Sequence, residues 1–389
     1  MTELQQLINE LCPNGVKFVA LEECCKILDN KRKPVTKAAR QAGEYPYYGA
    51  NGIQDYVSDY IFDGIFVLVG EDGSVVTPSG NPVVNWATGK IWVNNHAHII
   101  EEKDGVLLRY LYHYLQTVNV SALIHGNIPK LTGGDFRAIK VPVPPLPVQS
   151  EIVRILDNFT ELTAELTAEL TARKQQYAHY RDTLLKLDNN VPSYTLKDIC
   201  LSIADGDHMP PPKADSGVPF ITISNITETR QIDFSNVMYV PREYYDKLAD
   251  KRKAKRDDIL YTVVGSFGIP VHISIKTEFV FQRHIAILRP NQQMIVPRYM
   301  YHIMQSTEFY KQADKAAKGA AQRTIGLSSL GNMTIPLPSI EEQERIVAIL
   351  DRFDTLCNDI SAGLPAEIEA RQKQYEYYRD KVLTFEPAK

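Results

Sequence analysis

The chain is written twice. "QSEIVRILDNFTEL" (149–162) matches "QERIVAILDRFDTL" (343–356) at 8 of 14 positions without a gap, and "VPVP" (141–144) and "IPLP" (335–338) precede them in the same register. "RKQQYAHYRD" (173–182) matches "RQKQYEYYRD" (371–380) at 6 of 10 positions, with four more residues between the anchors in the second copy. Fainter pairs stand upstream in the same order: "RYLYHYLQ" (109–116) with "RYMYHIMQ" (298–305), "DGIFVLVG" (63–70) with "DDILYTVVG" (257–265), and "VKFVALEECC" (16–25) with "VPSYTLKDIC" (191–200). Amphipathic helices resemble one another by chance, but they do not keep a shared order across two halves of a chain, so the repeat marks a tandem duplication. Such a chain folds into two similar bodies.

The repeated parts are helical and the parts between them differ in nearly every loop. The expected fold is therefore α+β. Two tandem mixed α/β domains, 1–148 and 190–338, are separated by two long antiparallel coiled-coil-like helices, 149–189 and 339–389, in a pseudo-two-fold internal repeat. In the first helix the apolar positions Ile152, Ile155, Phe159, Leu162, Leu166, Leu170, Tyr177, Tyr180 and Leu184 step mostly by three or four, and no proline or glycine interrupts them. In the second, Ser339 with Glu342 reads as a capping box, followed by Ile346, Ile349, Phe353, Leu356 and Ile360. Gly363-Leu364-Pro365 then breaks the helix, which resumes through Ile368, Tyr375, Tyr378 and Val382. The seams pack on each other. The tyrosines Tyr177, Tyr180, Tyr375 and Tyr378 are either part of this intramolecular seam or a surplus apolar face that holds a partner.

"ELTAELTAELTA" (161–172) repeats one four-residue word three times inside the first helix. One word more or less changes the helix length by ~6 Å and its rotation by ~40°. The Leu162, Leu166, Leu170 stripe survives the change. The word is suited to act as a ruler between the two domains.

Within the domains, "PYYGANG" (46–52) reads as a strand entering a turn, and "IFVLVGEDG" (65–73) as a buried strand ending in an acidic loop. "GKIWVNNHAHII" (89–100) alternates like one strand, "DGVLLRYLYHYLQ" (104–116) is helical, and "HGNIPKLTGGDF" (125–136) is a polar loop. The second domain follows with "SIADGDHMPPP" (202–212), "PFITISNIT" (219–227), "ILYTVVGSFG" (259–268), "FVFQRHIAIL" (279–288) and "KGAAQRTIGLSSL" (318–330).

Catalytic patterns are missing. His96 and His98, two apart on a strand, would share one face, but no third metal ligand is evident nearby. "EDG" (71–73) and "DGD" (205–207) sit in no nuclease pattern, and "GEDGS" lacks the ending of a phosphate loop. "NPVVN" (81–85) lacks the aromatic residue of a methyltransferase motif. No apolar run approaches the length of a membrane span, and the start shows no signal pattern. The five cysteines lack disulfide or metal spacing, which suits a reducing cytoplasm. The net charge of −4 is not that of a bulk nucleic-acid binder, although residues 190–340 carry 18 basic against 14 acidic side chains.

Two related, loop-rich domains suit recognition of two unlike half-sites with an unread gap, because a fused pair of unlike copies does not see a palindrome. Residues able to read bases or hold phosphates are Tyr47, Tyr48, Asn51, Asn94, Asn95, His96, Lys130 and Thr132 in the first domain. In the second they are Asp207, His208, Asn225, Arg283, Lys318, Gln322 and Arg323. On the residues alone, a metal-dependent nuclease using His96, His98, Glu71 or Asp72 and a coiled-coil adaptor with two peptide-binding domains remain as other readings.

The duplicated "PVPPLPVQSEIVRILDNF" and "IPLPSIEEQERIVAILDRF", the "YRD" ends at 180–182 and 378–380, and the "TAEL" units at 163–170 resemble the specificity subunits of type I restriction-modification systems, over nearly the whole chain. The resemblance implies that the domains are target recognition domains, each reading one part of a bipartite, asymmetric DNA site. It implies that the helices set the gap and dock two methyltransferase subunits. Those partners bind S-adenosylmethionine and methylate adenine. Restriction subunits, which use ATP and Mg, join the larger host-defence complex. The chain itself would hold no cofactor and no metal, catalyse nothing, and work in the cytoplasm of a bacterium or archaeon.

Overall fold

In the computed structural model, which describes residues 3–73, 75–188, 190–206, 211–320, 322–359 and 361–389, the chain divides into two compact units. One is Met1–Glu165 with Ala370–Lys389, the other Leu166–Glu369. The boundaries expected from the sequence follow the change from loop-rich to helical sequence. The compact units instead cut through the helical stretches, because each helix buries different turns against different partners. Each unit thus holds one mixed α/β domain, the helical segment that follows it, and the distal helical segment of the other copy.

The first unit is built on a six-stranded sheet, in the order Lys26–Ile27, Ala97–Glu101, Phe62–Gly70, Val84–Val93, Ala42–Gly49, Gly52–Val57. All neighbours are antiparallel except Ala42–Gly49 and Val84–Val93, which run parallel. The apolar run of the central strand has no polar alternation because both faces are covered. Val67 and Val69 face Leu108, Leu111 and Leu115 of helix Leu108–Leu115, together with Val148, Ile152 and Leu156. Phe66 and Leu68 pack on the opposite face with Phe62, Ile91, Val93 and Ile99. Val67, Leu68 and Val69 are completely buried, each contributing roughly 1.5–3 kcal/mol.

The expected single strand over 89–100 is two strands. Val84–Val93 and Ala97–Glu101 flank Phe62–Gly70 on either side, joined by a turn. Asn94 makes the turn: its Oδ1 accepts from the His96 N–H at 2.8 Å. The second unit divides its corresponding stretch in the same way, into Val280–Phe281 and Ile285–Pro290. Its main sheet runs Cys200–Asp205, Ile285–Pro290, Ile259–Thr262, Pro270–His272, all antiparallel. A second sheet joins Met238–Val240, Val218–Ile221 and Val280–Phe281.

The proline motifs before the helices are strands in both units. Lys140–Pro142 pairs antiparallel with Phe18–Ala20, and Thr334–Pro336 pairs with Ser193–Thr195. In the first unit residue 16 also meets the far end of the chain, with the Val16 N–H donating to Glu386 and the Ala388 N–H to Val16, each at 2.9 Å.

Helix Leu146–Leu184 runs 39 residues without a break and starts three residues before the expected boundary. Ile340–Asn358 starts at the expected Ser339, whose Oγ accepts from the Glu342 N–H at 3.3 Å, but the expected box stays half made because the Glu342 carboxylate is held by Arg345 at 2.7 Å. The chain breaks before Leu364–Val382, and the extra residues of the second copy are taken up there. At Gly363 a Cβ would stand 2.5 Å from the Thr355 carbonyl oxygen, so only glycine fits. Pro365, in the first turn of the new helix, loses no bond it would otherwise make. Ile360, placed on the apolar stripe by its spacing, lies outside the described residues. Tyr177 and Tyr180 stack on Phe353 in the second unit, and Phe159 stacks on Tyr378 in the first. Among the described residues no helix is long and apolar enough to cross a membrane.

Candidate nucleic-acid interface

The repeated sequence words build one frame in each unit. Gln149 is fully buried; its Oε1 accepts from the Leu107 N–H at 2.9 Å and its Nε2 donates to Pro144 and Gly105 carbonyls at 2.7 and 3.0 Å. Gln343 repeats this with the Val296 N–H at 2.8 Å and the Met294 and Pro338 carbonyls at 3.2 and 3.0 Å. Tyr110 and Tyr299 donate to Pro142 and Pro336 at 2.9 and 3.0 Å.

The third repeated feature is a buried tyrosine–histidine–aspartate–arginine chain. In the first unit the His113 Nδ1 lies 3.1 Å from the Tyr375 hydroxyl and Nε2 lies 2.8 Å from Asp157, which also accepts from Arg109 at 2.7 Å. In the second unit His302 lies 2.9 Å from Tyr177 and 2.6 Å from Asp351, which accepts from Arg298. Burial pushes the Tyr375 phenol up to about 12 and raises Tyr177 as well, so both are donors. Each histidine accepts on Nδ1 and donates from Nε2, which is the neutral ring. Burial holds both imidazoles below the ordinary value against the opposing pull of the aspartates. A depressed histidine contributes stability that is complete above the unfolded value of about 6.5 and is lost as pH falls toward the folded value. Thermal unfolding followed by circular dichroism is therefore expected to show a lower midpoint at pH 5.5 than at pH 7.5. The drop should be smaller in a His113→Gln/His302→Gln variant, with the rest left to His272 and His284, which burial also lowers.

These chains fix the place of two of the four helix tyrosines. Tyr177 and Tyr375 are 4% and 8% exposed and face inward, so they offer no docking surface. Tyr180 and Tyr378 are 42% and 41% exposed.

Beyond the frame, each central strand ends in a three-way loop junction. In the first unit the strand passes Gly70 into Glu71-Asp72-Gly73. The Glu71 N–H donates to His96 and the Leu131 N–H to Glu71, each at 2.8 Å. The Ala50 carbonyl lies against Gly70, which brings the turn containing Asn51 to the same end. In the second unit the Val263 N–H donates to His284 at 2.9 Å, Ile325 to Val263 at 2.8 Å and Gly265 to Arg323 at 3.0 Å. Strand end, turn and returning loop meet alike in both: Lys130, bridged to Asp72, and Thr324, bridged to Val264, take equivalent places.

The candidate side chains divide at these junctions. Asn51, Asn95, His96 and the Lys130 side chain are accessible, with His96 against Asp72 and Lys130 3.1 Å from Glu71. Arg283, Lys318 and Gln322 are exposed in the second unit. Arg323 pairs with Asp314 at 2.7 Å and lies over the Phe267 ring. The others serve the fold. Tyr47 is 1% exposed and its hydroxyl binds the Val35 backbone, and Tyr48 packs in the core. Asn94 is 2% exposed and shapes its turn. Thr132 caps helix Gly133–Ala138 through the Asp135 N–H. Asn225 accepts from the Thr222 N–H at 2.9 Å and donates to Asn236 at 3.1 Å. Asp207 and His208 lie outside the described residues.

His96 and His98 do not share a face. His96 is exposed in the turn, whereas His98 is fully buried, with Nδ1 2.7 Å from Asp29, Nε2 3.0 Å from the Leu131 carbonyl, and its ring stacked on Phe136. Asp29, Glu71 and His98 come close enough for their ligand atoms to share a cation. The Arg32 guanidinium stands there, 2.5 Å from Glu71 and 3.5 Å from Asp29, and also donates to the Ala97 carbonyl at 2.7 Å. Burial alone would raise both carboxyls, but His98, Arg32 and Lys130 hold them below their usual values. This buried ion network ties four loops together beneath the accessible residues. Of its members, the spacing arguments had singled out Glu71, Lys130 and His98 and missed Asp29 and Arg32. The basic run "KRK" at 31–33 was the available signal.

Comparison with known proteins adds the family context. The family model described as type I restriction modification DNA specificity domain matches residues 13–173 and again 189–370. The chain is similar to a putative type I restriction enzyme specificity subunit of Haemophilus influenzae, with 38% identity over 95% of this chain and 96% of that one. It is 37% identical to a type I restriction enzyme specificity subunit of Escherichia coli over 73% of this chain and 72% of the other. Its fold is similar to that of a crystal structure of a type I restriction-modification S subunit from M. genitalium, with a TM-score of 0.57, 15% identity, and 95% and 96% of the two chains covered.

Proposed function

The chain belongs to the type I restriction-modification DNA specificity family, and from that premise we propose that it reads a bipartite, asymmetric DNA site whose unread gap is set by its helices. One observation carries the reading. The same three-way loop junction occurs in both units, on the same buried frame, but presents different accessible side chains: Asn51, Asn95, His96 and Lys130 in one, Arg283, Lys318, Gln322 and Arg323 in the other. Equal frames with unlike ends suit two unlike half-sites.

The chain is the non-catalytic member of its complex. Adenine methylation belongs to two methyltransferase subunits that carry S-adenosylmethionine, and DNA cleavage to restriction subunits that use ATP and Mg. Docking of the methyltransferase falls to the helix face around Tyr180 with Phe353 and Tyr378 with Phe159. Each of these exposed tyrosines stacks on a phenylalanine, at 5.3 and 5.4 Å between ring centres. Because the pair recurs once per unit, it supports two copies of one partner. The assembly works in the cytoplasm, on double-stranded DNA.

The test is to co-express the chain with the methyltransferase encoded beside it and map methylated adenines across genomic DNA. A single motif of two defined, unlike parts with a fixed gap is the expected result. Methylation at a palindrome, or at one undivided motif, overturns it.

A further inference from the structure

The function above rests on loops that carry few cations. A stronger concentration of positive charge lies beside them. Residues 26–40 contain six basic side chains and one acidic one, in a chain of net charge −4. The duplicated position in the second copy, 201–215, contains one basic and three acidic residues. The two recognition units therefore differ here in the sign of their charge.

The segment is held in place by its backbone and by its inward side chains. Arg32 enters the buried network with Glu71 and the Ala97 carbonyl. The Lys33 N–H donates to the Val93 carbonyl at 3.2 Å, and its own carbonyl accepts from the Trp92 indole at 2.6 Å. The Val35 N–H and carbonyl both bind the Tyr47 hydroxyl, at 3.1 and 3.2 Å. Arg40 donates to the Val35 carbonyl, lies 4.1 Å from the centre of the Tyr47 ring, and pairs with Asp55 at 3.2 Å. This explains why Tyr47 is buried although its position suggests a reading residue. It supports the loop that passes over it.

What remains outward is Lys31, Lys33 and Lys37. All three are exposed, and among the described residues none of the three ammonium groups makes a hydrogen bond or ion pair. Asp55, whose carboxylate feels the charge of Lys37, is already engaged by Arg40. Three unpaired ammonium groups on a pinned segment suit a polyanion. Because Arg32 donates to Glu71, which Lys130 also contacts, the segment flanks the loop junction directly. Lysine is a point charge on a flexible stem and carries no base information, so it serves phosphates.

We propose that Lys31, Lys33 and Lys37 form a clamp on the DNA sugar–phosphate backbone in the first unit, with no counterpart at the duplicated position of the second. The segment then adds a salt-dependent hold on DNA that the duplicated segment 201–215 lacks. This rests on the DNA-reading function proposed above.

The experiment uses the assembled complex with its methyltransferase partner and a duplex containing the mapped site. Affinity is measured across a salt series. Each phosphate contact adds about 0.9 to the slope of log affinity against log salt, so Lys31→Ala/Lys33→Ala/Lys37→Ala is expected to make the slope shallower by about 2.7. Preference for the site over altered sequences should be unchanged. Lys247→Ala/Lys251→Ala, at exposed lysines of the second unit, should leave the slope as it was. An unchanged slope in the triple variant overturns the clamp, and an equal loss per lysine in the second-unit variant overturns its one-sidedness. If the unaltered complex shows no preference for the mapped site, the DNA-reading function itself fails, and the clamp with it.

Discussion

Gln343→Leu is expected to lower the unfolding temperature of the second unit by roughly 10 °C, at ~2–4 °C per kcal/mol for a body of this size. Leucine nearly matches glutamine in volume, so no cavity of consequence opens. The loss comes from hydrogen bonds. The Val296 N–H and the Met294 and Pro338 carbonyls are each bonded by this one fully buried side chain. Stranding a buried polar group costs about 1–3 kcal/mol, and the two carbonyls lose less than the N–H because each keeps a second lone pair, which brings the sum to about 3–5 kcal/mol. Calorimetry checks it. Gln149→Leu should do the same to the first unit, where the Leu107 N–H and two carbonyls depend on it. Since each glutamine has partners only in its own unit, the two effects should add within about 0.5 kcal/mol. A shift below about 3 °C for either would mean that the glutamine is not what joins the helix start to its domain.

Deletion of Thr167–Leu170 is expected to abolish methylation at the original site and create methylation at a site with the same two half-sequences and a shorter gap. The four residues lie inside the uninterrupted helix Leu146–Leu184. Their loss shortens it by ~6 Å, on the order of one or two base pairs at ~3.4 Å each. The helix tolerates this because the repeated word restores its own pattern: Leu166 arrives where Leu170 packed against the second unit's core. Genome-wide methylation mapping of the deletion variant reads both the gap and the half-sequences. Altered half-sequences, or an unaltered gap, would refute the ruler.

The duplication, the start and break of the second copy's helix, and the buried central strand were all legible in the sequence, and for physical reasons. Ser339 and Gly363 act locally, through a side-chain cap and a space that admits no Cβ, so composition reveals them. The run around Val67 admits few alternatives to a strand covered on both faces. The tyrosines were harder. Periodicity says that Tyr177 lies on an apolar face but not what meets that face, and its partner His302 is 125 residues away. The turn at 94–96 was hidden because alternation continues through it on both sides. At the interface, Asn51, Asn95, His96, Lys130, Arg283, Lys318 and Gln322 are accessible, while Tyr47, Tyr48, Asn94, Thr132 and Asn225 are absorbed by the fold. Short polar side chains are favoured equally by turns, caps and base edges, so residue type alone does not separate those uses.

The division of the helices between the units has a consequence for synthesis. Leu166–Glu369 is one continuous stretch, so the second unit can close as soon as it has left the ribosome. The first unit cannot. Its Tyr375 and its strand-like contacts at residues 386–388 come from chain made after everything else in it. At ~5–20 residues per second, that interval lasts on the order of 10–40 s. The part translated first finishes folding last, with the apolar surface that Tyr375 and Leu383 cover left open in the meantime, which makes it the half most dependent on chaperones in the cell.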